Sequence, residues 1–371
     1  MPSQLFTPFA MRNLTLPNRI VISPMCQYSA EDGNANDWHL IHLGQLAIGG
    51  AGLLCLEATA VEAAGRITPG CLGLYSDANE SALAKVLASV RRISSIPLAI
   101  QLCHAGRKAS SNVPWKGGAL IPQSEGGWRN LGPSALPHAA HEAPPDAIDA
   151  SGLSRIRKAF ADAAVRAERL GFDALELHGA HGYLLHQFLS PIANQRTDDY
   201  GGSLANRMRF PLEVFDAVRS AWPGTKPLGV RISATDWVEG GWTPEDSVAL
   251  SLELKQRGCD WVDVSSGGVS PRQKIPLGPG YQVHLAEKIK NFTGMTTMSV
   301  GLITDPHQAE EIIAGGKADM VALARGMLYD PRWAWHAAAE LGGTASYPPQ
   351  YSRCAPPDKQ HIFRNVTVGQ R

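Results

Sequence analysis

Three side chains with useful acid–base chemistry, His178, His181 and Tyr183, lie within six residues of one another. They follow the apolar run at residues 173–177, so they stand where a β-strand is predicted to end. An imidazole donates or accepts hydrogen bonds near neutral pH, and a phenol can release a proton. Two donors aimed at one oxygen beside a proton source suit reactions that build negative charge on a carbonyl group.

Other interpretations of this group stay open. His178 and His181 could bind a metal, although no third ligand follows at a recognisable spacing. They could also be structural, with their ring nitrogens satisfied by backbone groups. A metal-dependent barrel hydrolase built on the two histidines is therefore an alternative function, and a non-catalytic binder of a phosphorylated ligand is a third.

Composition excludes several classes of partner. The 371-residue chain has 34 basic and 34 acidic residues and a net charge of zero, so no basic surface for nucleic acid or an anionic membrane is expected. The six cysteines form no Cys-x-x-Cys pair, which favours reduced thiols over disulfides or a zinc site. No secretory signal and no run of roughly 20 apolar residues is visible, so we expect a cytoplasmic protein.

Short apolar runs alternate with amphipathic stretches along the chain, a pattern typical of a parallel sheet buried on both faces. The predicted strands cover residues 19–24, 52–57, 97–102, 173–178, 228–233, 260–265, 296–300 and 318–324. The predicted helices cover residues 77–93, 154–170, 203–221, 244–257, 282–291, 306–314 and 331–341. Thr243 and either Thr304 or Asp305 are expected as N-caps, and Pro211 should start or kink its segment.

This order of elements predicts an α/β fold, a single-domain (β/α)8 TIM barrel over residues 1–345. A doubly wound sheet is the rival, but no G-x-G-x-x-G follows the first strand. The insertion at residues 106–150, after the third strand, is rich in Pro, Gly, Ser and His and is predicted to cover the pocket as a lid or cap. Residues 346–371 are predicted to form a C-terminal tail.

Barrel enzymes collect functional residues at the carboxyl ends of their strands, so those ends define a candidate site. Arg231 is a cation within an apolar strand and therefore needs an anion, either a ligand or a structural partner such as Glu57 or Glu176. Gly301 and the pair Arg325–Gly326 follow the last two strands, where barrels commonly bind phosphate. Together with Gln101 and Ser23, whose polar groups suit the rim of a planar heterocycle, these residues predict a flat, phosphorylated cofactor.

The sequence resembles the old yellow enzyme family over nearly the whole chain. The similar segments are LFTPFAMRNLTLPNRIVISPMCQYS, HGAHGYLLHQFLSPIANQRTDDYGGSLANRMRF, VGLIT and LARGML. Cys26 in SPMCQYS, with Tyr28, is similar to the bacterial thermophilic-like subclass, which includes xenobiotic reductases. The resemblance implies a barrel that contains FMN, takes hydride from NADPH or NADH, and reduces the activated C=C bond of substrates such as cyclic enones.

The resemblance also implies a role for each site residue. His178 and His181 would bind the substrate carbonyl, Tyr183 would protonate the α-carbon, and hydride would come from N5 of reduced flavin. Cys26 would lie near the flavin and tune its potential, Tyr28 would contact substrate, and no metal is implied. The FMN-binding set would be Ser23, Pro24, Met25, Cys26, Ala58, Gln101, Arg231, Gly301, Arg325 and Gly326, with Arg231 at the N1/O2 edge.

Near the C-terminus, Gln350, Tyr351 and Arg353 match a QY-x-R segment whose arginine reaches a neighbouring subunit's site in the subclass. The resemblance thus implies a homo-oligomer, a dimer or tetramer, in which Arg353 contacts substrate. The insertion and the residues after 353 depart from the subclass pattern. Arg107 and Lys108 are candidates to influence the preference between NADPH and NADH.

Overall fold

The computed structural model describes residues 2–363, in which a closed barrel of parallel strands is surrounded by helices. The strands of this part of the chain are β1 (Phe9–Met11), β2 (Leu14–Leu16), β3 (Ile20–Ile22), β4 (Leu53–Ala60), β5 (Leu98–Cys103), β6 (Leu131–Gly132), β7 (Asp146–Ala147), β8 (Ala174–Gly179), β9 (Leu228–Ser233), β10 (Trp261–Ser265), β11 (Thr297–Ser299) and β12 (Met320–Leu323). Its α-helices are α1 (Asp37–Ala47), α2 (Asp77–Ile93), α3 (Ala150–Arg169), α4 (Leu184–Leu189), α5 (Leu204–Ala221), α6 (Pro244–Gln256), α7 (Val283–Thr293), α8 (Pro306–Ala314), α9 (Arg325–Tyr329) and α10 (Trp333–Leu341).

The barrel strands are β3, β4, β5, β8, β9, β10, β11 and β12, and β12 pairs with β3 to close the ring. All eight pairings are parallel. The predicted (β/α)8 barrel is therefore confirmed, and the doubly wound sheet is wrong. Each of the eight predicted strands overlaps one strand of the barrel, because continuous apolar runs are what a sheet buried on both faces requires.

A hairpin of β1 and β2 closes the amino-terminal end of the barrel. Met11 and Leu16 are buried there against the first residues of several barrel strands, and against the ring of Trp261. Gly229 leaves room for that ring, since a Cβ added to it would lie 2.0 Å from a Trp261 ring atom. The barrel is thus filled at this end, which leaves the carboxyl ends of the strands for chemistry.

Six of the helices named above, α1, α2, α3, α5, α6 and α8, begin at side-chain caps. Thr243 and Asp246 form a capping box at the start of α6, and Asp305, rather than Thr304, caps α8. Pro211 lies inside α5 and does not start a segment. The predicted helices overlap the observed ones, but α1, α4 and α9 were not predicted.

The insertion after β5, here called the cap, consists of short 3-10 turns and the two-residue parallel pair of β6 and β7. It is fastened to the barrel loops by hydrogen bonds. Trp128 Nε1 donates to the carbonyl of Ala64, and Arg107 Nη2 donates to the carbonyl of Val269, in the loop after β10. The cap therefore lies on the carboxyl-end side of the barrel, where the site residues are.

After α10 the chain forms two 3-10 turns, Pro349–Tyr351 and Pro357–Ile362. Phe363 is buried, with its ring 5.1 Å from that of Trp335 and 4.1 Å from that of Tyr347. This part of the predicted tail thus packs on the protein's own α10, whereas residues 364–371 lie outside the described residues. Within residues 2–363 no helix combines the length and the apolar character needed to cross a membrane.

Candidate active site

The turn after β8 presents the histidines and the tyrosine. His181 has a φ of +57° and Gly182 a φ of +72°, so the backbone turns sharply before α4. Gly182 is required here, because a Cβ on it would lie 2.2 Å from the carbonyl oxygen of Gly268. Ser233 at the end of β9 holds the turn, since its Oγ accepts a hydrogen bond from His181 N (2.9 Å) and donates one to the carbonyl of Gly267 (2.7 Å).

The three side chains form one cluster. The centroid of the His178 ring lies 5.0 Å from that of His181 and 4.9 Å from that of Tyr183, in both cases nearly edge-to-face. His178 is buried, and the other two are half-buried. A cluster of this kind has one imidazole at its base and a phenol and an imidazole flanking it.

His178 is a neutral hydrogen-bond donor. Burial, together with the nearby charge of Arg231, lowers the pKa of His178 well below its ordinary value. Its Nδ1 accepts a hydrogen bond from Ala180 N (3.3 Å), so the ring proton is on Nε2. The Nε2–H group is therefore available for an oxygen acceptor without a change of protonation state near pH 7.

His181 has a partner on its own chain. Its Nε2 lies 2.7 Å from Ser265 Oγ at the end of β10, and Ser265 Oγ is 3.5 Å from Gln282 Oε1. Burial and the charge of Arg231 lower the pKa of His181 well below its ordinary value, so this imidazole is neutral as well. His181 can bind a ligand oxygen through Nδ1. It can also do so through Nε2 if the ligand oxygen takes the place of Ser265 Oγ.

A second, fully buried histidine supports the turn. His186 Nδ1 accepts a hydrogen bond from Gly182 N (2.8 Å), and His186 Nε2 lies 2.8 Å from Asp236 Oδ1. The other Asp236 oxygen accepts from Ser190 Oγ (2.6 Å) and Trp242 N (2.7 Å). Sequence reasoning missed this group; the signal was the position of His186 in the same motif and of Asp236 just after a predicted strand.

Lys108 of the cap reaches the same cluster. Its Nζ donates to the carbonyl oxygens of His181 (2.8 Å) and Gly268 (3.0 Å) and lies 5.1 Å from the centroid of the Tyr183 ring. Burial and the charge of Arg107 lower the pKa of Lys108 to about 8. Burial also raises the pKa of the Tyr183 phenol well above its ordinary value, so Tyr183 is protonated at neutral pH.

Arg107 turns away from solvent. Its guanidinium donates to the carbonyl oxygens of Leu136, Pro137 and Val269, at 3.2, 3.2 and 2.7 Å. This side chain therefore holds the cap on the barrel. Its influence on the choice between NADPH and NADH stays a prediction.

The segment after β3 carries Ser23, Pro24, Met25, Cys26 and Tyr28. It is anchored by Gln27 N, which donates to Glu57 Oε2 (3.0 Å) at an irregularity in β4. Cys26 is half-buried, and burial raises the pKa of its thiol well above the ordinary value. Cys26 is therefore a neutral thiol near pH 7, which suits packing and weak hydrogen bonding rather than nucleophilic attack.

Arg231 lies inside the barrel beside His178, to which it is paired in register between β8 and β9. Its Nη1 donates to Ser23 Oγ (3.1 Å), and its Nε lies 3.2 Å from Asp263 Oδ2. The structural partner of Arg231 is thus Asp263, and the expectation of Glu57 or Glu176 was wrong. The contact lacks the alignment of a hydrogen bond, so Arg231 Nε has no hydrogen-bond partner among residues 2–363.

Glu176 forms a second buried carboxyl group close to this pair. Its oxygens accept hydrogen bonds from Gln101 Nε2 (2.8 Å) and Trp261 Nε1 (3.2 Å). Burial, followed by the charge of Asp263, raises the pKa of Glu176 to about 8. Gln101 on β5 is in turn paired in register with Ala58 on β4, and Arg231 lies on β9, two strands from β5 around the barrel.

The remaining predicted residues follow the last two strands. Gly301 has a φ of +133°, and a Cβ on it would lie 3.2 Å from the Tyr281 ring. Arg325 is exposed at the start of α9, followed by the half-buried Gly326. Burial raises the pKa of the Tyr281 phenol, and the positive charges of Arg325 and Arg231 partly oppose that rise. Tyr281 therefore lies near both guanidinium groups, so this loop adjoins Arg231.

Two aromatic rings mark the outer side of the site. Tyr28, with a φ of +53°, lies edge-on to Trp115 of the cap at 5.8 Å between centroids. Trp115 is 69% exposed, so it stands at the rim. Arg353 is exposed in the tail after the turn Pro349–Tyr351.

Comparison with known proteins places these features in context. The model of the NADH:flavin oxidoreductase / NADH oxidase family matches residues 4–342. The NADPH dehydrogenase of Geobacillus sp. (strain WCH70) is 45% identical over 355 residues, which cover 95% of this chain and 99% of that protein. A NADH:flavin oxidoreductase of Gibberella zeae is 44% identical over 358 residues, 92% of this chain and 86% of that protein. The structure of morphinone reductase in complex with tetrahydroNAD superposes with a TM-score of 0.76 at 28% identity, covering 96% of this chain and 93% of that one.

Proposed function

Since the chain belongs to the NADH:flavin oxidoreductase / NADH oxidase family, the old yellow enzyme family that its motifs resemble, we propose that it reduces activated C=C bonds of α,β-unsaturated carbonyl compounds. The coarser activity follows from the family: the protein is an FMN-dependent oxidoreductase that uses NAD(P)H. The observation that carries the finer proposal is the cluster of His178, His181 and Tyr183, which offers oxygen-binding donors and a proton at one place.

The residues at the strand ends fit FMN. Arg231 Nε and both oxygens of Asp263 are buried without hydrogen-bond partners in the described part of the chain. Because buried polar atoms are normally hydrogen-bonded, these atoms indicate a polar ligand at this place. The backbone conformation of Gly301 allows close approach of a ligand to the loop after β11. We therefore assign to FMN binding Ser23, Pro24, Met25, Cys26, Ala58, Gln101, Arg231, Gly301, Arg325 and Gly326. When bound, FMN supplies hydride-transfer chemistry, from NAD(P)H to the β-carbon of the substrate.

The histidines bind and polarise the substrate. His178 Nε2–H donates to the substrate carbonyl oxygen, and His181 adds a second contact through Nδ1 or by releasing Ser265. Because both rings are neutral, they stabilise the developing enolate as hydrogen-bond donors and do not transfer a full proton to it. Tyr28 lines the outer side of the substrate site, and Cys26 packs on the FMN side.

Tyr183 supplies the proton. Its phenol is protonated at neutral pH, and its ring lies against His178, so its Oη can serve the carbon next to the carbonyl that His178 holds. Hydride at the β-carbon and a proton at the α-carbon together add H2 across the double bond. Solvent then returns a proton to Tyr183.

The test measures flavin reduction and flavin reoxidation separately in the variant Tyr183→Phe. We expect NADPH to bleach the flavin of the anaerobic variant at about the wild-type rate. Reoxidation of that flavin by 2-cyclohexenone should slow by roughly 100-fold or more, the usual size of a general-acid contribution. Equal slowing of both half-reactions would contradict the role of Tyr183, and a wild-type protein that no enone reoxidises would overturn the proposed substrate class.

The comparisons lend no support to the metal-dependent hydrolase. Among residues 2–363, moreover, no three His, Cys, Asp or Glu side chains are grouped so as to hold a metal ion. A homo-oligomer in which Arg353 reaches the neighbouring subunit's substrate site remains our proposal, supported by the match of Gln350, Tyr351 and Arg353 to the family segment. Sedimentation of the holoprotein, with Arg353→Ala as the variant, tests it.

A further inference from the structure

We propose that Lys108 is a positioning residue for the proton-donating step: its ammonium group holds the turn that carries Tyr183 and favours release of the phenolic proton. The inference deepens the proposed function and rests on it. It begins from an unusual environment for a lysine. Lys108, in the first turn of the cap, is half-buried, and no carboxylate in the described part of the chain forms an ion pair with it.

The two hydrogen bonds of Lys108 join two sharply turned loops. One accepting carbonyl belongs to His181 (2.8 Å), which has a positive φ, and the other to Gly268 (3.0 Å), which has a φ of +95°. The two loops are in van der Waals contact, since a Cβ on Gly268 would lie 2.5 Å from the His181 backbone. Lys108 therefore fixes the turn after β8 to the loop after β10 and, through the turn, the place of Tyr183.

Charge is the second part of the inference. The Nζ of Lys108 lies 5.1 Å from the centroid of the Tyr183 ring, within the range of a cation–π interaction. When Tyr183 gives its proton to the substrate α-carbon, the O–H bond breaks, a C–H bond forms and a phenolate is left on Tyr183. A nearby cation stabilises the phenolate more than the phenol, so it offsets part of the burial that makes Tyr183 a weak acid.

The surroundings of Lys108 define its pH range. Its charge is opposed by burial and by Arg107 and supported by Glu142 of the cap, with the result that its pKa is about 8. The other titratable groups nearby are His138 of the cap and the neutral pair His178 and His181. The cation is thus present below about pH 8 and is lost as the pH rises through that value.

The experiment uses the holoprotein and compares Lys108→Met with Lys108→Arg, which keeps a charge, and with Lys116→Met, an exposed lysine of the same cap. In the wild type, the rate of flavin reoxidation by 2-cyclohexenone should fall as the pH rises through about 8. Lys108→Met should slow this step roughly tenfold at pH 7, the change that one pKa unit represents, and should lose the pH dependence. Lys108→Arg should restore most of the rate, and Lys116→Met should match the wild type.

Two further measurements separate this role from a structural one. In Lys108→Met, the affinity for p-hydroxybenzaldehyde, whose binding needs no proton transfer, should stay within about twofold. In a Tyr183→Phe background, Lys108→Met should cause no further loss. The inference is overturned if Lys108→Met keeps the wild-type rate and pH profile, or slows the Tyr183→Phe protein by the same factor. If Lys108→Met does not retain FMN, Lys108→Gln is measured in its place under the same criteria. Failure of every enone to reoxidise the wild type would instead overturn the proposed function.

Discussion

The two imidazoles at the end of β8 are the same residue type three positions apart, yet they differ in what they can do. His178 has its proton fixed on Nε2 by Ala180 N, whereas His181 Nε2 already contacts Ser265. The sequence could predict that both belong to the site, because the ends of barrel strands converge. It could not predict the contacts of this turn with Ser265 and Lys108, or the pairing of His186 with Asp236, because those contacts join segments that are far apart along the chain.

This difference predicts unequal effects on ligand binding. His178→Ala should weaken p-hydroxybenzaldehyde binding to the holoprotein by roughly 10- to 100-fold, the range expected for a hydrogen bond to a charged or strongly polar oxygen. His181→Ala should have a smaller effect, since its own contact with Ser265 competes with the ligand. Titration of the flavin absorbance with the ligand measures both. A larger effect for His181→Ala would show that Ser265 yields to the ligand at little cost.

At the scale of elements, the strands and most helices were predictable and the exceptions have physical causes. Helix α1 buries His39 and His42 beside three apolar residues and exposes Trp38 and Ile41, so its amphipathic pattern is weak. The strands of the hairpin β1–β2 are three residues long and carry too little alternation to be recognised. The cap could be predicted as an insertion, but its turns have no periodic pattern to predict from.

The cap contributes Trp115 to the rim of the site, and replacing this residue should weaken substrate binding. Trp115→Ala eliminates the edge-to-face contact with Tyr28, a pair of a kind worth about 0.5–1.5 kcal/mol. We expect the KM for 2-cyclohexenone to rise roughly 2- to 10-fold, with kcat nearly unchanged, because Trp115 does not touch the His178 cluster in this arrangement. Steady-state kinetics with saturating NADPH measures the effect. Phe292→Ala, which removes another exposed aromatic ring, is the control, and an equal change in both variants would contradict the role of the rim.

At the scale of the whole molecule, the barrel is completed by segments from both ends of the chain. The hairpin β1–β2 packs against the amino-terminal end of the barrel, and the tail packs on α10. The sequence predicted the barrel, but not how residues 346–363 would pack on it. The tail is held by two buried neighbours, Ile362 and Phe363, and a backbone hydrogen bond from Ala345 N to the carbonyl of Ile362. Two adjacent apolar residues outside any periodic pattern do not indicate burial from sequence.

Phe363 therefore offers a test of how the tail is held. Its ring is 4% exposed and meets Trp335 and Tyr347, so Phe363→Ala should remove about 3 kcal/mol or more of packing energy from this region. If the tail is docked cooperatively with the barrel, the variant will have a lower midpoint of thermal unfolding. If docking is local, the midpoint will hold, but proteases will cleave between residues 345 and 363 much faster. Phe292→Ala, which alters a ring that is 69% exposed, is the matched control and should change neither measurement. An unchanged midpoint together with unchanged proteolysis in Phe363→Ala would mean that the tail is held by contacts other than this ring.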